Sequence, residues 1–200
     1  MKEPFTNFVK KELKTGTLLI ACGLPGSYKT ETTEEISKIK GYSILRTDLI
    51  RREILKGMDI FDEKIANNYE IRKKVYEEMF KRAEETLIKK DGVILDATFV
   101  TQELRRRAAK IAANQNKLFI IWQTHCTKDS SIRRILRRTK ENYESNALTE
   151  KAYINNVKKF EKVDLDDLKK LSPNLRLMHL TVDTEFDTIK DWYIIGMEKR

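Results

Sequence analysis

Gly23-Leu24-Pro25-Gly26-Ser27-Tyr28-Lys29-Thr30 is the stretch from which the rest of the chain is read. It follows Thr17-Leu18-Leu19-Ile20-Ala21-Cys22, an apolar run of strand length, and precedes residues 31–40, which pattern as a helix. A strand, a glycine-bearing turn and a Lys-Thr pair opening a helix form the setting of a phosphate-binding loop (P-loop). Backbone N–H groups at a helix start converge on one spot, and the helix dipole favours an anion there. Gly23 and Gly26 let the main chain turn tightly and approach phosphates, with Leu24, Pro25 and Ser27 completing the curl. Lys29 would reach the outer phosphates of a nucleoside triphosphate, and the Thr30 hydroxyl would ligate the Mg²⁺ that bridges them. Tyr28 departs from the pattern, which carries glycine before the lysine. Helical φ/ψ would make a tyrosine sterically acceptable there. Its ring would then turn away from the phosphates, toward a base or a substrate.

The chain has 200 residues, enough for one domain, or one domain with a small lid. Apolar residues make up 40%, sufficient for a core at this size, and charged residues 36%. With a mean hydropathy of −0.57 the composition excludes a membrane protein. No apolar run approaches the ~20 residues that a spanning helix needs. The first residues lack the apolar centre of a signal peptide, and Cys22 and Cys126 read as small buried side chains rather than a disulfide or metal pair. Both features predict a cytoplasmic protein. His125 and His179 carry no ligand spacing. A net charge of +9 and a pI near 9.4 suit an anionic partner: a nucleotide, with nucleic acid as a wider option. Lysines alternating with glutamates over residues 81–90 supply part of that charge as an ordinary solvated helix face.

Seven glycines and three prolines leave little room for long loops, and the chain has no repeats. Residues 1–15 predict a short amphipathic helix and 42–47 a second strand. Residues 48–56 predict a helix with Asp48 as its N-cap. Over residues 65–90, Val75, Met79, Ala83 and Leu87 fall four apart and predict one long helix. Val93-Ile94-Leu95-Asp96 reads as a third strand ending in a carboxylate, 101–115 as a helix and 117–123 as a fourth strand. Helices over 129–139 and 150–162, a fifth strand over 175–182 and a closing helix over 186–197 complete the pattern. Strands alternating with helices imply a parallel sheet covered on both faces, with ligands beyond its carboxyl ends.

Asp96 ends an apolar strand, where the second Mg²⁺-side carboxylate of P-loop enzymes lies. Asp48 and Arg51, three residues apart at a helix start, share one face. That carboxylate would accept the proton of an attacking hydroxyl, and the arginine would hold an acceptor phosphate or the transferring group. Residues 131–138 carry four arginines. Arg134 and Arg138 stand one turn apart, as do Arg133 and Arg137, and one pair facing inward would close over the phosphates as an arginine finger does.

With these motifs assembled, the chain resembles the small P-loop kinases related to polynucleotide kinase, ATP-binding kinases of the AAA-type P-loop group. The resemblance rests on residues 23–30, Asp48-x-x-Arg51, Gly92-Val93-Ile94-Leu95-Asp96-Ala97-Thr98-Phe99, Arg105, His125-Cys126-Thr127 and Arg134-x-x-x-Arg138, running over about 17–165. It implies an α/β fold: a three-layer α/β/α sandwich around a five-stranded parallel sheet of order 2-3-1-4-5, with a small helical lid. The whole of 1–200 would be one P-loop kinase domain, its lid at about 128–163. It implies transfer of the γ-phosphate of ATP to a hydroxyl, with Asp48 as general base, Arg51 on the acceptor phosphate, and Arg134 and Arg138 on the donor phosphates. Family members differ most in the acceptor: a polynucleotide 5′-hydroxyl, a nucleoside or nucleotide, or a small metabolite. Two other readings stand beside it: a nucleotide-binding regulatory module with little catalysis, and a toxin-type kinase acting on a nucleotide sugar.

Overall fold

The computed structural model describes residues 2–56, 65, 68–138 and 148–200. Its centre is β2 (Thr17–Cys22), buried at every position. On either side run β4 (Gly92–Asp96) and β5 (Leu118–His125), both parallel to it, then β3 (Ser43–Arg46) beyond β4 and β6 (Leu177–Asp183) beyond β5. Alternation along these strands sorts side chains to two faces. Leu18, Ile20, Cys22, Val93, Leu95, Phe119 and Ile121 join one buried cluster, while Leu19, Ile94, Ile120 and Trp122 join another.

Helices cover both clusters. On the first face lie α4 (Tyr69–Lys89), α5 (Gln102–Asn114) and α8 (Leu165–Leu171). The predicted stripe of α4 is its buried face: Val75, Met79, Ala83 and Leu87 are fully or almost fully buried. Val75, Met79 and Leu87 each contribute about 1.5–3 kcal/mol by leaving water. On the second face lie α1 (Phe5–Glu12), which buries Phe5, Phe8 and Val9, and α2 (Lys29–Lys40). α1 starts after Pro4 rather than at the predicted residue 1, because Pro4 is extended and its strand pairs with Tyr193. The fold is an α/β sandwich with helices on both faces of the sheet.

The sheet corrects the expected count. Among the described residues, with β1 at Glu3–Pro4 and β7 at Tyr193–Lys199, it has seven strands in the order β1-β7-β6-β5-β2-β4-β3, and it is mixed. The inner five are parallel and, numbered from Thr17–Cys22, run 2-3-1-4-5. The additions are antiparallel: β7 (Tyr193–Lys199) on β6, and the short β1 (Glu3–Pro4) on β7. β7 replaces the helix expected over 186–197, where only one 3₁₀ turn, Ile189–Asp191, forms. The physical cause is period-two burial. Trp192 and Ile194 are buried while Ile195 and Met197 are exposed, and β-branched and aromatic residues favour that arrangement.

Three more helices lie near the carboxyl ends of the strands or link them: α3 (Thr47–Ile54), α6 (Lys128–Leu136) and α7 (Glu150–Lys159). Asp48 is not the N-cap of α3. The extended residue is Arg46, and Asp48 lies in the first turn. Of the proposed lid over 128–163, residues 139–147 lie outside the described residues. Among the described residues, no helix is long and apolar enough to cross a membrane.

Candidate functional site

The loop between β2 and α2 is a tight curl built by its glycines. Gly23 has φ of 140° and Gly26 of 81°, regions that side chains disfavour. A Cβ on Gly26 would stand 2.5 Å from the Ser131 carbonyl oxygen, and one on Gly23 2.8 Å from the Thr124 carbonyl oxygen. β5, through Thr124, and α6, through Ser131, therefore press on the curl. Ser27 Oγ donates to the Leu24 carbonyl (2.7 Å) and shares a hydrogen bond with Thr124 Oγ1 (2.7 Å). Pro25 is buried beside it. Lys29 Nζ donates across the curl to the Leu24 carbonyl at 2.7 Å. Burial pushes the Lys29 ammonium down to about 8, against the pull of the Asp96 carboxylate. Among the described residues no side chain caps the start of α2. Its first amides thus keep the donor capacity that suits an anion.

Tyr28 corrects a second expectation. Its backbone is left-handed, φ 56° and ψ 35°, a conformation costing a non-glycine residue about 1–2 kcal/mol. Its ring does turn from the curl, but toward the protein. The Arg134 guanidinium lies 3.9 Å from the ring centroid, and the Trp192 ring packs against it at 5.5 Å. The hydroxyl donates to Asp187 Oδ1 at 3.0 Å.

Parallel pairing brings the second cluster together. Arg46 and Asp96 are register partners at the ends of β3 and β4. Arg46 Nε donates to Asp96 Oδ2 (3.0 Å), and its Nη2 donates to Glu34 Oε1 (2.9 Å). Asp96 is 4% exposed. Burial pushes its carboxyl up, while Arg46, a hydrogen bond from Thr30 and the charge of Lys29 pull it back. Thr30 and Asp96 thus meet as two hard oxygen donors beside Lys29. Mg²⁺ is held by one or two carboxylates plus phosphate oxygens rather than by an all-protein cage, so this donor set fits it. Among the described residues no cluster of three or more acidic, His or Cys ligands exists. On the adjoining turn of α3, Arg51 Nη1 donates to Asp48 Oδ1 at 2.8 Å. Burial raises the Asp48 carboxyl, and Arg51, Lys29 and Arg46 oppose the rise. Lys29, Thr30, Asp48, Arg51 and Asp96 therefore form one electrostatic neighbourhood drawn from three segments.

The two inward arginines separate. Arg138 is close enough to help lower the Lys29 ammonium. Arg134, 5% exposed, is engaged elsewhere: it donates to the carbonyls of Gly26 (3.2 Å), Thr184 (2.9 Å) and Glu185 (2.7 Å), and to Asp187 Oδ1 (3.0 Å). It buttresses the curl rather than facing into it. Arg105, wholly buried, ties the chain after β4 to the segment after α7 through the carbonyls of Phe99 and Glu161. Cys22 and Cys126 are free thiols; Cys126 lies under the curl, 3.1 Å from Ser131 Oγ.

Two features were not anticipated. Arg46 carried a readable signal, a charge closing a short apolar strand, and the register sets it directly opposite Asp96. The contacts of Thr184, Asp187 and Trp192 carried none, because they depend on the unexpected strand β7.

A family model described as an AAA domain matches residues 18–162. Solved structures are similar in fold. A gluconokinase from Sinorhizobium meliloti 1021 is 16% identical with a TM-score of 0.53, over 86% of this chain and 85% of that one. Kti12 from Chaetomium thermophilum, in complex with ADP-AlF3, is 20% identical with a TM-score of 0.53, over 74% of this chain and 81% of that one. AvrRxo1-ORF1:-ORF2 with ATP is 11% identical with a TM-score of 0.61, over 97% of this chain and 61% of that one. At these identities the likeness is one of fold. Comparison with curated proteins found no match. The matched span runs from β2 through α7 and includes the curl, Asp48, Asp96 and the arginine helix, and the chain belongs to the AAA domain family.

Proposed function

We propose that the chain is an ATP- and Mg²⁺-dependent phosphotransferase acting on a hydroxyl acceptor: a polynucleotide 5′-hydroxyl, a nucleoside or nucleotide, or a small metabolite. The observation that carries this reading is the meeting of Lys29, Thr30 and Asp96 with Asp48 and Arg51 at the carboxyl ends of the parallel strands. Lys29 and the first amides of α2 bind the triphosphate. Thr30 and Asp96 hold the metal, which when bound neutralises charge on the phosphates. Asp48, its carboxyl raised by burial, takes the proton of the acceptor hydroxyl, and Arg51 keeps that carboxylate oriented and holds an acceptor phosphate. Arg138 lies on the Lys29 side and balances charge during transfer. Two similar folds carrying ATP or ADP-AlF3 support the choice of nucleotide.

Binding without transfer is the second reading, and Arg134 favours it, because one of the two arginines assigned to the phosphates is spent on the scaffold. A transfer screen with γ-labelled ATP over oligonucleotides, nucleosides and sugars decides between them. Label on one acceptor class, abolished by Lys29→Ala, is the expected result. Stoichiometric retention of nucleotide with no labelled product would overturn the transferase reading.

A further inference from the structure

The segment 184–192 lies beyond the span that the family model matches, yet it grips the phosphate loop. Thr184 Oγ1 donates to the Ser27 carbonyl at 3.0 Å. Arg134 bridges the two, donating to Gly26 on one side and to Thr184 and Glu185 on the other. Asp187 accepts from both the Tyr28 hydroxyl and Arg134 Nε, each at 3.0 Å. Trp192 packs on the Tyr28 ring and is itself anchored: its Nε1 donates to the Phe186 carbonyl at 2.8 Å, and Phe5 meets its ring edge-on at 5.6 Å. Tyr28 therefore has a guanidinium over its ring, an indole against it and a carboxylate at its tip.

These contacts converge on a residue whose left-handed backbone needs support. Glycine takes the left-handed conformation freely, whereas a tyrosine does so only where its surroundings hold it. Lys29 follows directly, so the dihedrals at position 28 set where the ammonium and the first amides of α2 point. We propose that segment 184–192 is a built-in brace, and that Asp187 and Trp192 are positioning residues for nucleotide binding which act through Tyr28. The proposal rests on the phosphate-loop reading above. It makes a specific demand: the brace matters only while position 28 is not glycine.

The test is epistasis in ATP affinity, measured by titration calorimetry on the full chain with wild type, Asp187→Ala, Tyr28→Phe, Tyr28→Gly and the double variant Y28G/D187A. Asp187→Ala should weaken ATP binding about fivefold, the scale of one lost hydrogen bond. In the Y28G background the same change should cost less than about twofold, because glycine needs no brace. Tyr28→Phe deletes only the hydroxyl bond and should weaken binding in the same sense, so it carries the test should Asp187→Ala fold poorly. Equal weakening in both backgrounds, or no weakening by either Asp187→Ala or Tyr28→Phe, would overturn the brace. A wild-type chain that unfolds cooperatively but binds no ATP would remove the phosphate-loop reading, and the brace with it; the first two results leave that reading intact.

Discussion

The Arg134 guanidinium stacks 3.9 Å from the centroid of the Tyr28 ring while its nitrogens reach three backbone carbonyls and a carboxylate. A side chain so occupied holds a left-handed tyrosine, α6 and the chain after β6 in one arrangement. Arg134→Ala would leave the carbonyls of Gly26 and Thr184 without their partner in a buried setting. We expect a loss of about 2–4 kcal/mol in denaturant unfolding. Arg134→Lys should recover little of it, since an ammonium lacks the planar fork that reaches several acceptors and stacks on a ring. Wild-type stability in Arg134→Ala would refute the buttress role.

Asp48 and Arg51 form a short pair on one turn, next to Lys29 but outside the curl. If Asp48 is the proton acceptor, Asp48→Ala should slow transfer by about 10²–10⁴-fold. ATP affinity should stay within a few-fold of wild type. Arg51→Ala should chiefly raise the KM for an acceptor that carries a phosphate. Single-turnover transfer and ATP titration on the same preparations check both, and wild-type transfer by Asp48→Ala would remove the base assignment.

Much of this was legible in the sequence, for identifiable reasons. The apolar run 17–22 is buried at every position, as a central parallel strand must be, and the four-residue stripe of α4 faces the core. A tight turn into a helix depends on local order, so Gly23 and Gly26 announced the curl, and Lys29-Thr30 the helix start, directly. The conformation of Tyr28 was not legible, because nothing local to it makes a left-handed tyrosine stable; its support comes from residues more than 100 positions away. The role of Arg134 was hidden for the same reason. The closing strand was not legible, because Trp192, Ile194 and Ile195 offer too short a run to separate period two from a helical stripe.

Arg46 and Asp96 make a buried ion pair at the candidate site, with side chains 14% and 4% exposed. Removing one partner of such a pair leaves an uncompensated charge. Arg46→Met should therefore destabilise the fold by about 3 kcal/mol, while a double variant with Asp96→Asn should recover part of the loss. Thermal or denaturant unfolding of the four proteins closes the cycle. Additive losses would mean that the two side chains are not energetically coupled.

Lys29 supplies a pH signature with two opposite slopes. Burial lowers its ammonium from the ordinary 10.5 to about 8, helped by Arg138 and opposed by Asp96, Glu31 and Cys22. An anion needs the charged form, so ATP affinity should fall as pH rises through about 8. If only the charged form binds, the loss from pH 7 to 9 is about tenfold. Stability moves the other way. Between about 8 and 10.5 the unfolded chain still holds the lysine proton while the folded chain has released it, so the Lys29 contribution to stability rises with pH over that window. Lys29→Met should remove both slopes, and Lys29→Arg, charged throughout, should make the remaining affinity insensitive to pH across the same range. Parallel slopes for wild type and Lys29→Met, in calorimetric ATP titrations and in unfolding free energies from pH 7 to 10, would show that another group governs the profile and that the ammonium does not face the phosphates.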